Sequence, residues 1–91
     1  MKVIWKYQIQ AATEQQIFLP KNSIVLTCQA QQDVPHIWVL VDIDEKITEP
    51  RTFFVYGTGQ MIQENIGRYV GTFQLTPGTL IFHVFEKGEL Q

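Results

Sequence analysis

Tyr69-Val70-Gly71-Thr72-Phe73-Gln74-Leu75, Thr76-Pro77-Gly78-Thr79 and Leu80-Ile81-Phe82-His83-Val84-Phe85 form the stretch on which the fold turns. Two runs rich in β-branched and aromatic residues flank a Pro–Gly pair, the pattern of antiparallel strands joined by a tight turn. Proline presets the first central residue of a type II turn, and glycine takes positive φ at the second. A hairpin of Tyr69–Leu75 with Leu80–Phe85 is therefore expected.

Upstream, Gln60 to Arg68 carries Met61, Ile62 and Ile66 and stops at Gly67. It is at most a single helical turn, too short to be stable alone. Arg51–Tyr56 reads as a strand broken by Gly57-Thr58-Gly59, and Asp42–Pro50 as an acidic, solvated loop. His36–Val41 is an almost continuous apolar run, the mark of a strand buried on both faces. Ile24–Gln31 alternates, with Ile24, Leu26, Cys28 and Ala30 opposed to Val25, Thr27 and Gln29. Ile17–Leu19 is a short strand stopped by Pro20, which has no N–H for a ladder. Val3, Trp5, Tyr7 and Ile9 alternate with polar residues, giving a first strand with one wet face. Short strands at this spacing define an all-β, mainly antiparallel domain over residues 1–91, a small β-sandwich or partly open barrel.

Composition narrows the function classes. With 45% hydrophobic and 18% charged residues in 91, the chain is no disordered tail. Seven basic against nine acidic residues leave a net charge of -2, ill suited to a nucleic acid polymer. The lone Cys28 cannot form an internal disulfide, and no apolar run nears the roughly 20 residues that span a bilayer. A strand pattern beginning at Val3 leaves no signal-peptide core, so a cytoplasmic location without membrane contact is expected. Two strands apolar on both faces, with no helix to cover them, predict a homo-oligomer, most simply a dimer.

Catalytic and metal chemistry find little purchase. Cys28, His36 and His83 lack any zinc-ligand spacing, and Asp42-Ile43-Asp44-Glu45 lacks the glycine of a calcium loop. No serine, threonine or cysteine has a recognisable base and orienting acid. The expectation is a non-enzyme that needs no cofactor. Tyr56-Gly57-Thr58-Gly59, with Arg51 before it and Arg68-Tyr69 after, is the segment that stands out. Two glycines permit a nest of backbone N–H groups for an anion, and they equally suit any tight strand-ending turn. The ligand-binding set expected for a small anionic, nucleotide-like molecule is Trp38, Arg51, Tyr56, Thr58, Gly59, Arg68 and Tyr69. Arg51 and Arg68 would hold phosphate, Trp38, Tyr56 or Tyr69 would stack on a ring, and Thr58 and Gly59 would supply donors.

Tyr56-Gly57-Thr58-Gly59-Gln60, Tyr69-Val70-Gly71-Thr72-Phe73-Gln74 and Phe82-His83-Val84-Phe85-Glu86 together resemble the signature of a family of small phage- and prophage-encoded proteins of unknown function. Val3-Ile4-Trp5-Lys6-Tyr7 and Leu19-Pro20-Lys21 are similar to it too, although Asn22 stands where many members carry glycine. The resemblance implies a phage setting, in the host cytoplasm. By analogy with other small phage proteins, a non-catalytic oligomer in that setting is expected to act as an anti-defence protein by sequestering a nucleotide immune signal, a cyclic nucleotide or an ADP-ribose derivative, near a subunit interface. An inhibitor that binds a host defence or regulatory protein and a minor virion or accessory protein are the alternatives.

Overall fold

The alternating runs become seven strands: β1 (Lys2–Gln8), β2 (Glu14–Pro20), β3 (Ile24–Gln31), β4 (Val34–Asp42), β5 (Thr48–Gly57), β6 (Arg68–Leu75) and β7 (Leu80–Glu86). The computed structural model describes residues 1–62 and 65–88. All pairings are antiparallel, in a three-stranded sheet ordered β1-β4-β3 and a four-stranded sheet ordered β2-β5-β7-β6. The fold is thus all-β, two sheets and not a closed barrel. No helix occurs among the described residues; the expected helical turn over Gln60–Arg68 includes residues 63 and 64, which lie outside them.

Apolar side chains on the facing sides of the sheets make one shared core. Ile9, Leu19, Ile37, Val39, Val41, Phe53 and Val84 are all within 1% of complete burial. Each such side chain contributes about 1.5–3 kcal/mol by leaving water. The two continuous apolar runs are β4 and β7, which have a neighbour on both sides. Their inward residues are buried, Phe82 of β7 only partly, while His36, Trp38, Leu40, Ile81, His83 and Phe85 on the outward sides are half-buried. The molecule is a slab of 40 × 33 × 15 Å.

Several local departures from simple alternation have identifiable causes. A bulge between Val25 and Thr27 shifts the β3 register, so Val25, Cys28 and Ala30 turn inward and Ile24 and Leu26 remain exposed. One extra residue flips every side chain beyond it to the other face. Strand β5 begins at Thr48 and takes in Pro50, which strict periodicity leaves in the loop. Pro50 pairs opposite Phe18 of β2, and β7 reaches β5 only from Phe53 onward. Proline is tolerated there because nothing on the other side of β5 requires its N–H. The β6–β7 hairpin forms as expected, with Leu75 opposite Leu80. Its turn is not type II: Thr76–Pro77 is cis, and Gly78 N donates to Leu75 O.

Where β6 crosses β3, only glycine fits. A Cβ on Gly71 would lie 2.9 Å from Cys28 Sγ and 3.1 Å from Thr27 Oγ1. Gly71→Ala is therefore expected to cost about 1–3 kcal/mol in denaturant unfolding, and less in a Cys28→Ala background that makes room.

Burial pushes the Cys28 thiol up to about 11. A thiol raised in the folded chain favours folding below about pH 9, its unfolded range, and that contribution is lost as the pH climbs towards 11. Between pH 8 and 10.5 the wild-type chain should lose about 2 kcal/mol more unfolding free energy than Cys28→Ala. Equal losses in urea titrations would refute the thiol's part in alkaline unfolding.

Candidate functional site

Strand parity places three charged side chains at one open end of the sandwich. Arg51 shares the inward face of Phe53 and Val55, Glu86 that of Val84, and Arg68 sits opposite Glu86 in register. Arg51 Nε donates to Glu86 Oε2 at 2.5 Å, and Arg68 Nη2 donates to Glu86 Oε1 at 3.2 Å. The same guanidiniums reach the other sheet, Arg51 Nη1 donating to Ser23 O at 2.9 Å and Arg68 Nη2 to Val25 O at 3.1 Å. Glu49 Oε2 lies 3.4 Å from Arg51 Nη1. Beside this cluster opens a cleft of about 490 Å³, lined by Asn22, Glu49, Arg51, Arg68, Glu86 and Lys87 among others. Both forks expected to hold phosphate already hold a protein carboxylate, and both fasten one sheet to the other.

The Gly57-Thr58-Gly59 turn is built from internal bonds. Gln60 N donates to Gly57 O at 3.0 Å, with Gly59 at φ +90, the positive φ a type II turn needs. Thr58 N donates to Ile81 O, and Gly57 N to Gln60 Oε1. With three consecutive-segment amides spent inside the chain, the turn does not gather its N–H groups into an anion nest. It is the tight strand-ending turn that the same glycines equally allow. Among the described residues, a Cβ on Gly59 would meet nothing within 4 Å.

The outward face of the four-stranded sheet carries a different arrangement. Register aligns Tyr56 with His83 and His83 with Thr72, and in the next row Phe54 with Phe85 and Phe85 with Tyr69. Thr58 Oγ1 and His83 Nε2 share a hydrogen bond of 2.7 Å, Thr72 Oγ1 and His83 Nδ1 one of 3.0 Å, and Tyr69 Oη and Thr72 Oγ1 one of 2.5 Å. Three hydroxyls and an imidazole thus form one continuous strip at the surface. The Tyr69 ring lies 5.5 Å from that of Phe85 and is 55% exposed. Tyr56 packs against Phe54 and Phe85 and is buried, so its ring supports the face without being presented on it.

The seven residues singled out in the sequence therefore occupy three places. Tyr56, Thr58, Gly59 and Tyr69 gather around the hydroxyl–imidazole strip. Arg51 and Arg68 meet at the mouth between the sheets. Trp38 lies on the outward face of the three-stranded sheet, where Nε1 donates to Gln29 Oε1 at 3.2 Å and the ring stacks on His36. Glu86, His83 and Thr72 were not singled out. The signal for Glu86 is its parity with Val84, which turns a carboxylate inward and demands a cation. His83 and Thr72 show only as polar outward positions in otherwise apolar strands.

No group of three or more His, Cys, Asp or Glu side chains could hold a metal among the described residues. No helix among them is long and apolar enough to cross a membrane. Fold and surface together define a two-sheet antiparallel β-sandwich with a polar–aromatic strip on one outward face. The chain belongs to a family described as a domain of unknown function (DUF7352), which matches residues 1–91. No curated protein and no solved structure is significantly similar to it.

Removing a buried partner leaves its counter-charges stranded. Glu86→Ala should lower unfolding free energy by about 3 kcal/mol in urea, with Glu86→Gln less costly because its amide oxygen still accepts from the guanidiniums. A change below about 0.5 kcal/mol, the scale of an exposed pair, would show that Glu86 does not fasten the sheets.

Proposed function

We propose that the protein is a non-catalytic small-ligand-binding protein that takes a nucleotide-like molecule on the outward face of the four-stranded sheet. The observation that carries the reading is the strip of Tyr69, Thr72, His83 and Thr58 beside the exposed Tyr69 ring. A flat ring stacks on Tyr69 and Phe85, and its polar groups bond to the strip. Lys87, exposed two residues beyond Phe85, provides a positive charge for a phosphate, whereas Arg68 is spent on Glu86 and Val25 O. Arg51 takes the structural part, through Glu86. In the phage setting that the sequence resemblance implies, the ligand is a nucleotide immune signal, a cyclic nucleotide or an ADP-ribose derivative. The protein then acts in the host cytoplasm as an anti-defence sequestering homo-oligomer.

A second reading, an inhibitor that binds a host protein, is favoured by a separate feature. Ile4, Leu40 and Ile24 stand in register across the outward face of the three-stranded sheet, with Ile4 and Ile24 at least half exposed. A second copy would cover this row in the first reading, and the host protein in the second.

Calorimetry against cyclic dinucleotides and ADP-ribose isomers, paired with sedimentation at micromolar concentration, separates the two. The first reading expects saturable heat that Tyr69→Ala weakens at least tenfold, together with a homo-oligomer. A silent panel with a monomeric chain overturns it.

A further inference from the structure

We infer that the Tyr69–Thr72–His83–Thr58 strip reads sugar hydroxyls, so that the ligand class is a ribonucleotide taken largely without regard to its base; this rests on the ligand-binding reading above. The reason is the polarity of the strip. Each hydroxyl both donates and accepts, and a neutral imidazole does one at each nitrogen. The bonds from Tyr69 Oη to Thr72 Oγ1, on to His83 Nδ1, and from His83 Nε2 to Thr58 Oγ1 run without a break. Turning the three hydroxyls together and exchanging the imidazole tautomer reverses the whole chain and keeps every bond. Either end can therefore offer a donor or an acceptor.

Bases are told apart by partners of fixed polarity. Amides, carboxylates and guanidiniums match one pattern of donors and acceptors and leave the wrong pattern unpaired. The strip contains none of these, so it has no means of penalising the wrong base edge. A hydroxyl is itself donor and acceptor, and it satisfies a reversible strip in either sense. The stacking ring adds to this tolerance, because every base has a π-face to lay on Tyr69.

The test titrates AMP, GMP, CMP, UMP and 2′,3′-dideoxy-AMP into the whole chain and into the Thr58→Val and Tyr69→Phe variants. Both substituted positions are exposed, and circular dichroism confirms that each variant is folded. The four ribonucleotides should bind within about fivefold of one another, and the dideoxy compound about tenfold more weakly, the loss of one or two neutral hydrogen bonds. Each variant should narrow the gap between AMP and its dideoxy analogue. A preference among bases beyond about thirtyfold, or a dideoxy compound equal to AMP, overturns the hydroxyl inference while ligand binding stands. Heat from none of the five overturns this inference, while the ligand-binding reading stands or falls on the cyclic dinucleotide and ADP-ribose panel.

Discussion

A carboxylate turned inward at the end of β7 sets the terms for the rest of the molecule. Glu86 is buried, and an unpaired charge in that position would cost several kcal/mol. Arg51 and Arg68 neutralise it from two other strands of the same sheet, and each also donates to a backbone carbonyl at the start of β3. The cluster therefore closes one end of the sandwich by hydrogen bonds where the apolar core runs out. It also decides what the arginines are not free to do. A guanidinium that holds a carboxylate and a carbonyl has few donors left for a ligand, which moves the candidate site from the mouth to the outward face.

That face owes its character to register. Pairing β5 with β7 and β7 with β6 sets Tyr56, His83 and Thr72 in one row and Phe54, Phe85 and Tyr69 in the next. The aromatic row stiffens the polar one, because Phe85 packs against both tyrosines and limits where Tyr69 can point. Thr58 joins from the turn, held in place by its own N–H bond to Ile81 O across the strand pair. Hydroxyls positioned by paired strands lose little further freedom on binding, which lowers the entropic cost of engaging a ligand.

Much of the fold was legible in the chain because alternation reports directly on which side of a strand is dry. The seven strands and the β6–β7 hairpin both follow from that one periodicity. What periodicity misses is the bulge at Val25–Thr27, where the inward set changes from Leu26 to Val25 with no change in composition. The turn at Pro77 escapes for a similar reason, since a Pro–Gly pair fits more than one closure. The candidate site was legible only in pieces. Tyr56, Thr58, Gly59 and Tyr69 were near one another in sequence and stay together. Arg51 and Arg68 were equally near, yet opposite parity sends their side chains to the other side of the sheet. Their partner Glu86 sits too far along the chain for local reading to connect them.

The slab's thinness bears on how this family can change over time. In a body only 15 Å deep, a single sequestered layer and the Glu86 cluster at its end hold the two sheets together, and every strand offers its other side to the surroundings. Outward positions on the two broad flanks can drift without disturbing that layer, so one scaffold can be re-tuned on either flank independently. Mutational tolerance should accordingly alternate residue by residue along each strand, and two descendants could keep the same skeleton while meeting quite different molecules.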